Sequence, residues 1–337
     1  MDDLKLRAAT LHRDALVWDS HACLPLHPDA DVGALERHRA AGVDFVSVNI
    51  GMDMNPLAQI MAVIASFRAQ LRAQPERFVP VDDARDVERA KGEGKLAVAF
   101  DLEGGVPLGE RPEMVQLFYD LGVRQIHLAY NRNNSIGGGC YDHDVPLSDL
   151  GRRVVRAINA AGMLMDCSHT GYRTSMDIMA LSEAPVIYSH ANPLALAANA
   201  RNIRDDQIDA CAATGGVVCV NGIGRFLGDS AAATLTMLRH IDHLVQRVGA
   251  EHVGLGLDYE YEQGLPDSPP GFDRAFWFPP EHGYGDGLQR RNATPEQLPE
   301  ITAGLLGMGY GEAATRKILG ENMLALAQRV WRPQQPA

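Results

Sequence analysis

The sequence predicts an α/β chain folded as a (β/α)8 TIM-type barrel with additional C-terminal helices, and three observations carry that prediction. Short apolar or β-branched runs alternate with amphipathic helical stretches, the pattern of a parallel sheet covered on both faces. There are eight such runs, and eight is the number that closes this barrel. Their C-terminal ends carry His21, Asn49, Glu103, Tyr130, His169, His190, Asn221 and Asp258, the positions from which a barrel builds its site. An open doubly wound sheet is the competing topology, but no G-x-G-x-x-G follows the first run, so a dinucleotide site is not expected.

In order, the candidate strands span residues 16–21, 44–50, 97–103, 124–130, 164–169, 185–190, 217–221 and 253–258. Between them, residues 34–41, 56–73, 148–161, 205–213 and 234–248 repeat apolar side chains every three or four positions, the helical spacing. Gly42, Gly162, Gly215 and Gly249 follow helical stretches, where a left-handed residue ends the helix. No low-complexity tract or polar linker interrupts the chain, so residues 1–337 are expected to form one barrel domain. Two regions depart from the alternation. Residues 259–294 are rich in proline, glycine and aromatics, as expected of a lid or an interface. Residues 295–330 read as terminal helices covering the outside of the barrel.

Composition narrows the function. A net charge of −12, from 31 basic and 43 acidic residues, argues against a nucleic-acid partner, which wants a basic face. A hydrophobic fraction of 46% excludes a largely disordered chain. No run approaches the roughly 18 to 20 apolar residues of a membrane span, and no secretory signal is visible at the start. Cys23, Cys140, Cys167, Cys211 and Cys219 are odd in number and irregularly spaced, which predicts reduced thiols in a cytoplasmic protein.

Certain residues have the chemistry of a metal site. His169 and His190 each end an apolar strand within a Ser-His pair. Imidazole nitrogen suits zinc, and neighbouring barrel strands aim their end residues at one centre. In His21-Ala22-Cys23 the two flanking side chains share one side of an extended backbone, so both can grip one ion; a small buried thiol is the bland alternative for Cys23. Glu103 precedes Gly104-Gly105, where a carboxylate can bridge cations or simply sit in a turn. Asp258 closes Gly254-Leu255-Gly256-Leu257, with the glycines leaving room inside the barrel, and is a candidate general acid or base. Arg201 lies in the loop after His190 and can hold a carboxylate with its planar fork. The other histidines, His127 in mid-strand among them, read mostly as solvated or structural.

Taken in this order the motifs resemble the membrane (renal) dipeptidase family, zinc metallopeptidases of the amidohydrolase-like barrel type. The resemblance runs from about residue 19 to 330. It rests on Asp19-Ser20-His21-Ala22-Cys23, Glu103-Gly104-Gly105, Asp166-Cys167-Ser168-His169 and Ser189-His190-Ala191-Asn192. Arg201-Asn202-Ile203, Gly215-Gly216-Val217-Val218, Val253-Gly254-Leu255-Gly256-Leu257-Asp258 and Lys317-Ile318-Leu319-Gly320-Glu321-Asn322 complete it. It implies one zinc on His21 and the Cys23 position, Glu103 bridging, and a second zinc on His169 and His190. It places the substrate-carboxylate arginine at Arg201 and the catalytic aspartate at Asp258. Two residues depart from the family pattern: Cys23 stands where an aspartate is usual, and Tyr130 where many members carry a substrate-facing histidine.

The resemblance implies hydrolysis of dipeptides, including those with a D-residue second, by a zinc-activated water. Tyr130 would steady the oxyanion and Asp258 would carry the proton. A homodimer and a small-molecule substrate are expected, with no membrane partner. The departures leave alternatives open: one ion or two, a non-peptide amide, ester or lactone as substrate, or a silent metabolite-binding relative.

Overall fold

Ten strands, all paired in parallel, build the sheet of this computed structural model, which describes residues 2–266, 268–285 and 291–333. They are β1 (Trp18–Cys23), β2 (Phe45–Met52), β3 (Phe78–Pro80), β4 (Leu96–Glu103), β5 (Val123–His127), β6 (Leu164–Asp166), β7 (Val186–Tyr188), β8 (Val217–Asn221), β9 (Val253–Gly256) and β10 (Tyr259–Glu260). The order around the sheet is β10-β1-β2-β4-β5-β6-β7-β8-β9, with β3 pairing β4 off this path. Only Leu257 and Asp258 separate β9 from β10. The Asp258 amide donates to the His21 carbonyl (2.9 Å) and the Tyr261 amide to the Cys23 carbonyl (2.8 Å). Strands β9 and β10 therefore act as one stave that pairs β8 at its start and β1 at its end, closing the ring.

The expected strands are present, with shifted ends. Strand β1 runs on through Cys23, whereas β5, β6, β7 and β9 stop at His127, Asp166, Tyr188 and Gly256. Tyr130, His169, His190 and Asp258 thus lie two or three residues beyond the ladder rather than at its last rung. For two of them the cause is visible in the backbone: His169 (φ 63°) and Asp258 (φ 56°) adopt left-handed conformations, which no strand accommodates. Strand β3 escaped prediction because it is three residues long and ends in proline, which donates nothing to a ladder.

Around the ring lie α1 (Asp2–Asp14), α2 (Glu36–Ala40), α3 (Leu57–Ala73), α4 (Ala84–Glu93), α5 (Met114–Asp120), α6 (Asp149–Ala161), α7 (Tyr172–Leu181), α8 (Asp205–Ala213), α9 (Gly224–Leu227) and α10 (Thr234–Val248). The chain ends with α11 (Arg274–Trp277), α12 (Leu298–Gly307), α13 (Glu312–Arg316) and α14 (Asn322–Val330). Gly42, Gly162, Gly215 and Gly249 all have positive φ, as their places after helical stretches require. Helix α12 packs on α1 and α10 outside the ring, and α14 on α4 and β9. At the N-terminal end of the strands Trp18 stacks on Phe45 with ring centres 3.6 Å apart, and Trp331 leans on both at 5.7 and 5.9 Å.

Residues 259–285, outside position 267, fold back over the other end. Trp277 and Phe278 stand 6.3 and 6.2 Å from the Tyr130 ring, and the Phe276 carbonyl accepts from Arg132 Nε at 2.6 Å. Positions 267 and 286–290 of the anticipated lid lie outside the described residues. No described helix is long and apolar enough to cross a membrane.

Candidate functional site

Strand β4 turns Asp101 and Glu103 to the same face, and both side chains are buried inside the ring. One oxygen of Glu103, Oε2, is held by Asn49 Nδ2 from β2 at 2.5 Å. The other, Oε1, is buried and takes no hydrogen bond. Four imidazole nitrogens surround it: His169 Nε2 at 3.0 Å, His190 Nε2 at 3.4 Å, His21 Nε2 at 3.5 Å and His127 Nδ1 at 3.6 Å. The far nitrogen of each ring is tied elsewhere. His21 Nδ1 lies 3.1 Å from Asp101 Oδ1, an ion-pair distance out of line for a hydrogen bond. His127 Nε2 is 2.7 Å from Asp166 Oδ2, His169 Nδ1 2.7 Å from Asn131 Oδ1, and His190 Nδ1 2.7 Å from Ser189 Oγ.

This arrangement fits a cation. A buried carboxylate oxygen without a donor is costly, and His169 Nε2 and His190 Nε2 beside it lie 3.0 Å apart, a spacing that one shared hydrogen or one ion can hold. Ligand atoms about 2.0–2.1 Å from one tetrahedral ion stand about 3.4 Å apart, close to the spacing seen here. Cys23 joins the set: its Sγ is 3.4 Å from His21 Nε2 and 4.0 Å from Asp258 Oδ1. Potential ligand atoms of His21, Cys23 and Glu103 lie within 4.8 Å of one another, as do those of Glu103, His127 and His190, and of His21, His190 and Asp258.

Burial and charge tune these groups in different directions. Burial lifts the Glu103 carboxyl to about 7, against the pull of His21 and His127. Burial and the nearby Arg201 hold His169 well below the usual imidazole range, and burial, His21 and Arg201 do the same to His190. Both rings are therefore neutral and free to offer lone pairs. For His21 burial lowers the value, but Asp101, Glu103 and Cys23 outweigh it and raise the ring well above 6.5. Burial pushes the Tyr130 phenol well above 10, with Glu103 adding to the effect, so its hydroxyl stays protonated and able to donate.

The remaining candidates ring this centre. Asp258 Oδ2 accepts from Asn221 Nδ2 at 2.9 Å, which leaves Oδ1 facing His21 Nε2 at 3.6 Å. Arg201, 2% exposed, donates from Nη2 to the His190 carbonyl at 3.0 Å, while its Nε has no partner among the described residues. It lines, with His169 and Asn199, a cavity of about 230 Å³. Tyr130 stacks on His169 with centres 4.4 Å apart and lines a second cavity of about 210 Å³ with Arg225 and Tyr284. The chain thus brings His21, Cys23, Glu103, His169, His190 and Asp258 together, with Arg201 and Tyr130 at the edges.

Three residues that sequence reasoning passed over belong here. His127 is not a mid-strand spectator: it is the last residue of β5 and faces Glu103. Extending that strand to Tyr130 hid it, although Gln125 and His127 alternate with apolar Ile126 and Leu128, which marks an inward polar face. Asp101 was legible by the same rule, two residues before Glu103. Asp166 opens the Asp-Cys-Ser-His motif, and its Oδ1 accepts from the amides of Ser168 (2.9 Å) and Ser189 (3.1 Å) and so anchors both histidine turns. Its carboxyl sits at about 2, because His127 and these hydrogen bonds overcome the cost of burial.

Fold and site together define a parallel barrel with a carboxylate–imidazole cluster that fits a cation at the C-terminal ends of its strands. The chain belongs to the membrane dipeptidase family, Peptidase family M19, whose sequence profile matches residues 7–276. An uncharacterized dipeptidase of Schizosaccharomyces pombe is 35% identical over 239 residues, 68% of this chain and 55% of that protein, so the chain spans about half that relative's length. An amidohydrolase from Pseudomonas aeruginosa superposes with a TM-score of 0.84 at 26% identity, covering 96% of this chain and 99% of that one. A metallopeptidase from Rhodobacter sphaeroides, solved with a phosphinate mimic of the dipeptide L-Ala-D-Ala, shares the fold with a TM-score of 0.76 at 22% identity, over 94% of this chain and 99% of that one.

Proposed function

We propose that this chain is a zinc dipeptidase-like metallohydrolase that cleaves the amide bond of dipeptides, including those with a D-residue in the second position. The observation that carries the reading is Glu103 Oε1, buried without a hydrogen bond among four imidazole nitrogens at 3.0–3.6 Å. Its family and the fold shared with a protein that holds a dipeptide mimic support the substrate class. His21, Cys23, Glu103, His169 and His190 would hold one or two ions. Zinc bound there supplies an acidified water and a Lewis acid for the scissile carbonyl.

The chain's own groups do the rest. Arg201 lines the cavity beside His169 and has a buried Nε without a partner among the described residues, and its guanidinium would fix the substrate's free carboxylate. Tyr130 keeps its proton and would donate to the developing oxyanion. Asp258, fixed through Oδ2 by Asn221, turns Oδ1 toward His21 Nε2 and Cys23 Sγ and would accept a proton at the reacting centre and pass it to the leaving amine. Aromatic side chains of residues 272–284 border the Tyr130 cavity and would set specificity. The same segment, with Phe276 46% exposed, would supply the contact of a homodimer, which sedimentation tests. Five free cysteines support a cytoplasmic location.

Cys23 favours a second reading, an altered amidohydrolase acting on a non-peptide amide, ester or lactone, because thiolate gives the ion more charge than carboxylate and weakens its acidity. The test is zinc quantification together with hydrolysis of dipeptides, N-acyl amino acids and lactones, on wild type and Cys23→Asp. With Sγ 3.4 Å from His21 Nε2, Cys23 is expected to be a working ligand, so the variant loses both zinc and rate. A gain in both would make the native site an impaired one. Zinc-loaded wild type that turns over lactones but no dipeptide would transfer the function to the second reading, and a chain that takes up no zinc would be the silent relative.

A further inference from the structure

The geometry points to His127 as a fourth protein ligand, completing with Glu103, His169 and His190 a closed metal position distinct from the one at His21 and Cys23. This rests on the metal-site reading above and adds a residue that neither the sequence motifs nor the family resemblance supplied.

Three independent features agree. The rings of His127, His169 and His190 form a near-equilateral triangle, with centres 5.6, 5.4 and 5.1 Å apart. Imidazoles bound at about 2.0–2.1 Å to one tetrahedral ion place their centres about 5 Å apart. The donor atoms agree too: His169, His190 and His127 point one nitrogen each at Glu103 Oε1, at 3.0, 3.4 and 3.6 Å. The tautomers also follow from the outer nitrogens. Asp166 Oδ2 accepts from His127 Nε2 (2.7 Å), so in the neutral ring that a ligand must be, Nε2 carries the hydrogen and Nδ1 offers its lone pair toward Glu103. Asn131 Oδ1 likewise accepts from His169 Nδ1 (2.7 Å), its amide orientation set by Nδ2 donating to the Trp277 carbonyl at 3.3 Å. Such outer hydrogen bonds are how a protein aims a ligating histidine.

The competing explanation is that His127 merely braces Asp166. A brace needs Nε2 alone. It gives no reason for Nδ1 to be buried without a partner, facing an equally unpartnered carboxylate oxygen. Nδ1 and Oε1 so placed, 3.6 Å apart, need a positive charge between them, either a metal ion or the proton of a charged ring, and only the metal ion also engages His169 and His190. Four protein ligands close a tetrahedral zinc position, whereas His21, Cys23 and Glu103 leave one place open. The His127 position is therefore the tighter of the two.

His127→Gln separates the explanations, because its Nε2 can still donate to Asp166 while the inward nitrogen is gone. In full-length protein titrated with zinc against a chromophoric chelator, the variant should lose at least about tenfold in affinity for the tighter ion. With cobalt(II) in place of zinc, the visible bands of the tetrahedral imidazole site should collapse, while the thiolate-to-cobalt charge-transfer band from Cys23 persists. Zinc affinity within twofold of wild type and an unchanged cobalt spectrum would overturn the inference and leave the dipeptidase reading standing. X-ray absorption on wild type holding one zinc tests it without a variant: three imidazoles in the shell support it, two or fewer refute it. Failure of wild type to take up zinc at all would sink both.

Discussion

Asp53 shows what one buried carboxylate can organise. It lies just past β2, and nothing in its sequence neighbourhood singles it out. Its Oδ1 accepts from the Val106 amide (2.9 Å) and its Oδ2 from the Tyr130 amide (2.9 Å) and Asn134 Nδ2 (3.0 Å). It thereby ties the turn after Glu103 to the loop that carries Tyr130. Burial, partly offset by those donors, raises its carboxyl from 3.8 to about 6. The folded chain then binds the proton more tightly than the unfolded one, so this stabilisation is complete below about pH 4 and is lost as pH rises through 6. Chemical denaturation of wild type and Asp53→Asn across pH 4–8 should show wild type losing ground to the variant by up to about 3 kcal/mol. A constant difference across that range would refute the assignment.

At the scale of the element, strand ends decide where the chemistry sits. Strand β4 ends on Glu103, and the chain turns at Gly104 with φ 122°. A Cβ there would lie 2.1 Å from Asp53 Oδ1, so both backbone and space demand glycine. Gly104→Ala should cost about 3 kcal/mol in urea unfolding and lower zinc uptake, since Glu103 is displaced with the turn. Retained zinc uptake with reduced stability would mean that the turn is structural alone. Gly256 refines the expectation of room inside the barrel. A Cβ at that position would stand 1.8 Å from the Ser189 carbonyl, so the space the glycine leaves is taken by the β7 end that presents His190. The alternation rule placed the strands well, but it could not see where a left-handed residue cuts a ladder short. Strand β5 stops at His127 with the first left-handed residue only at Asn131, so extending its apolar run to Tyr130 hides His127.

Across the whole molecule, the two ends of the barrel do different work. One end gathers the titratable groups, and the other is closed by Trp18, Phe45 and Trp331, with Trp331 Nε1 donating to the Arg124 carbonyl at 3.2 Å. Trp331→Ala should lower stability by about 3–5 kcal/mol while the folded protein keeps its zinc stoichiometry, because the ring lies at the opposite end from Glu103. Loss of zinc from folded Trp331→Ala would show that the two ends are coupled.

Periodicity and punctuation in the sequence determined the eight staves, most of the longer helices and their glycine stops, because these depend on local backbone preference and on which face must be buried. Residue type at the strand ends nominated His21, Glu103, Tyr130, His169, His190 and Asp258, and residue type in the adjoining turn and loop nominated Cys23 and Arg201. Only the tertiary structure decided which nitrogen of each imidazole faces Glu103, which of the inward-facing polar residues of β4 and β5 meet there, and that Asp53 and Asp166 anchor the loops. These are relations between residues far apart in sequence. They depend on ring closure, strand stagger and the desolvation of groups pressed together, and no local pattern encodes them.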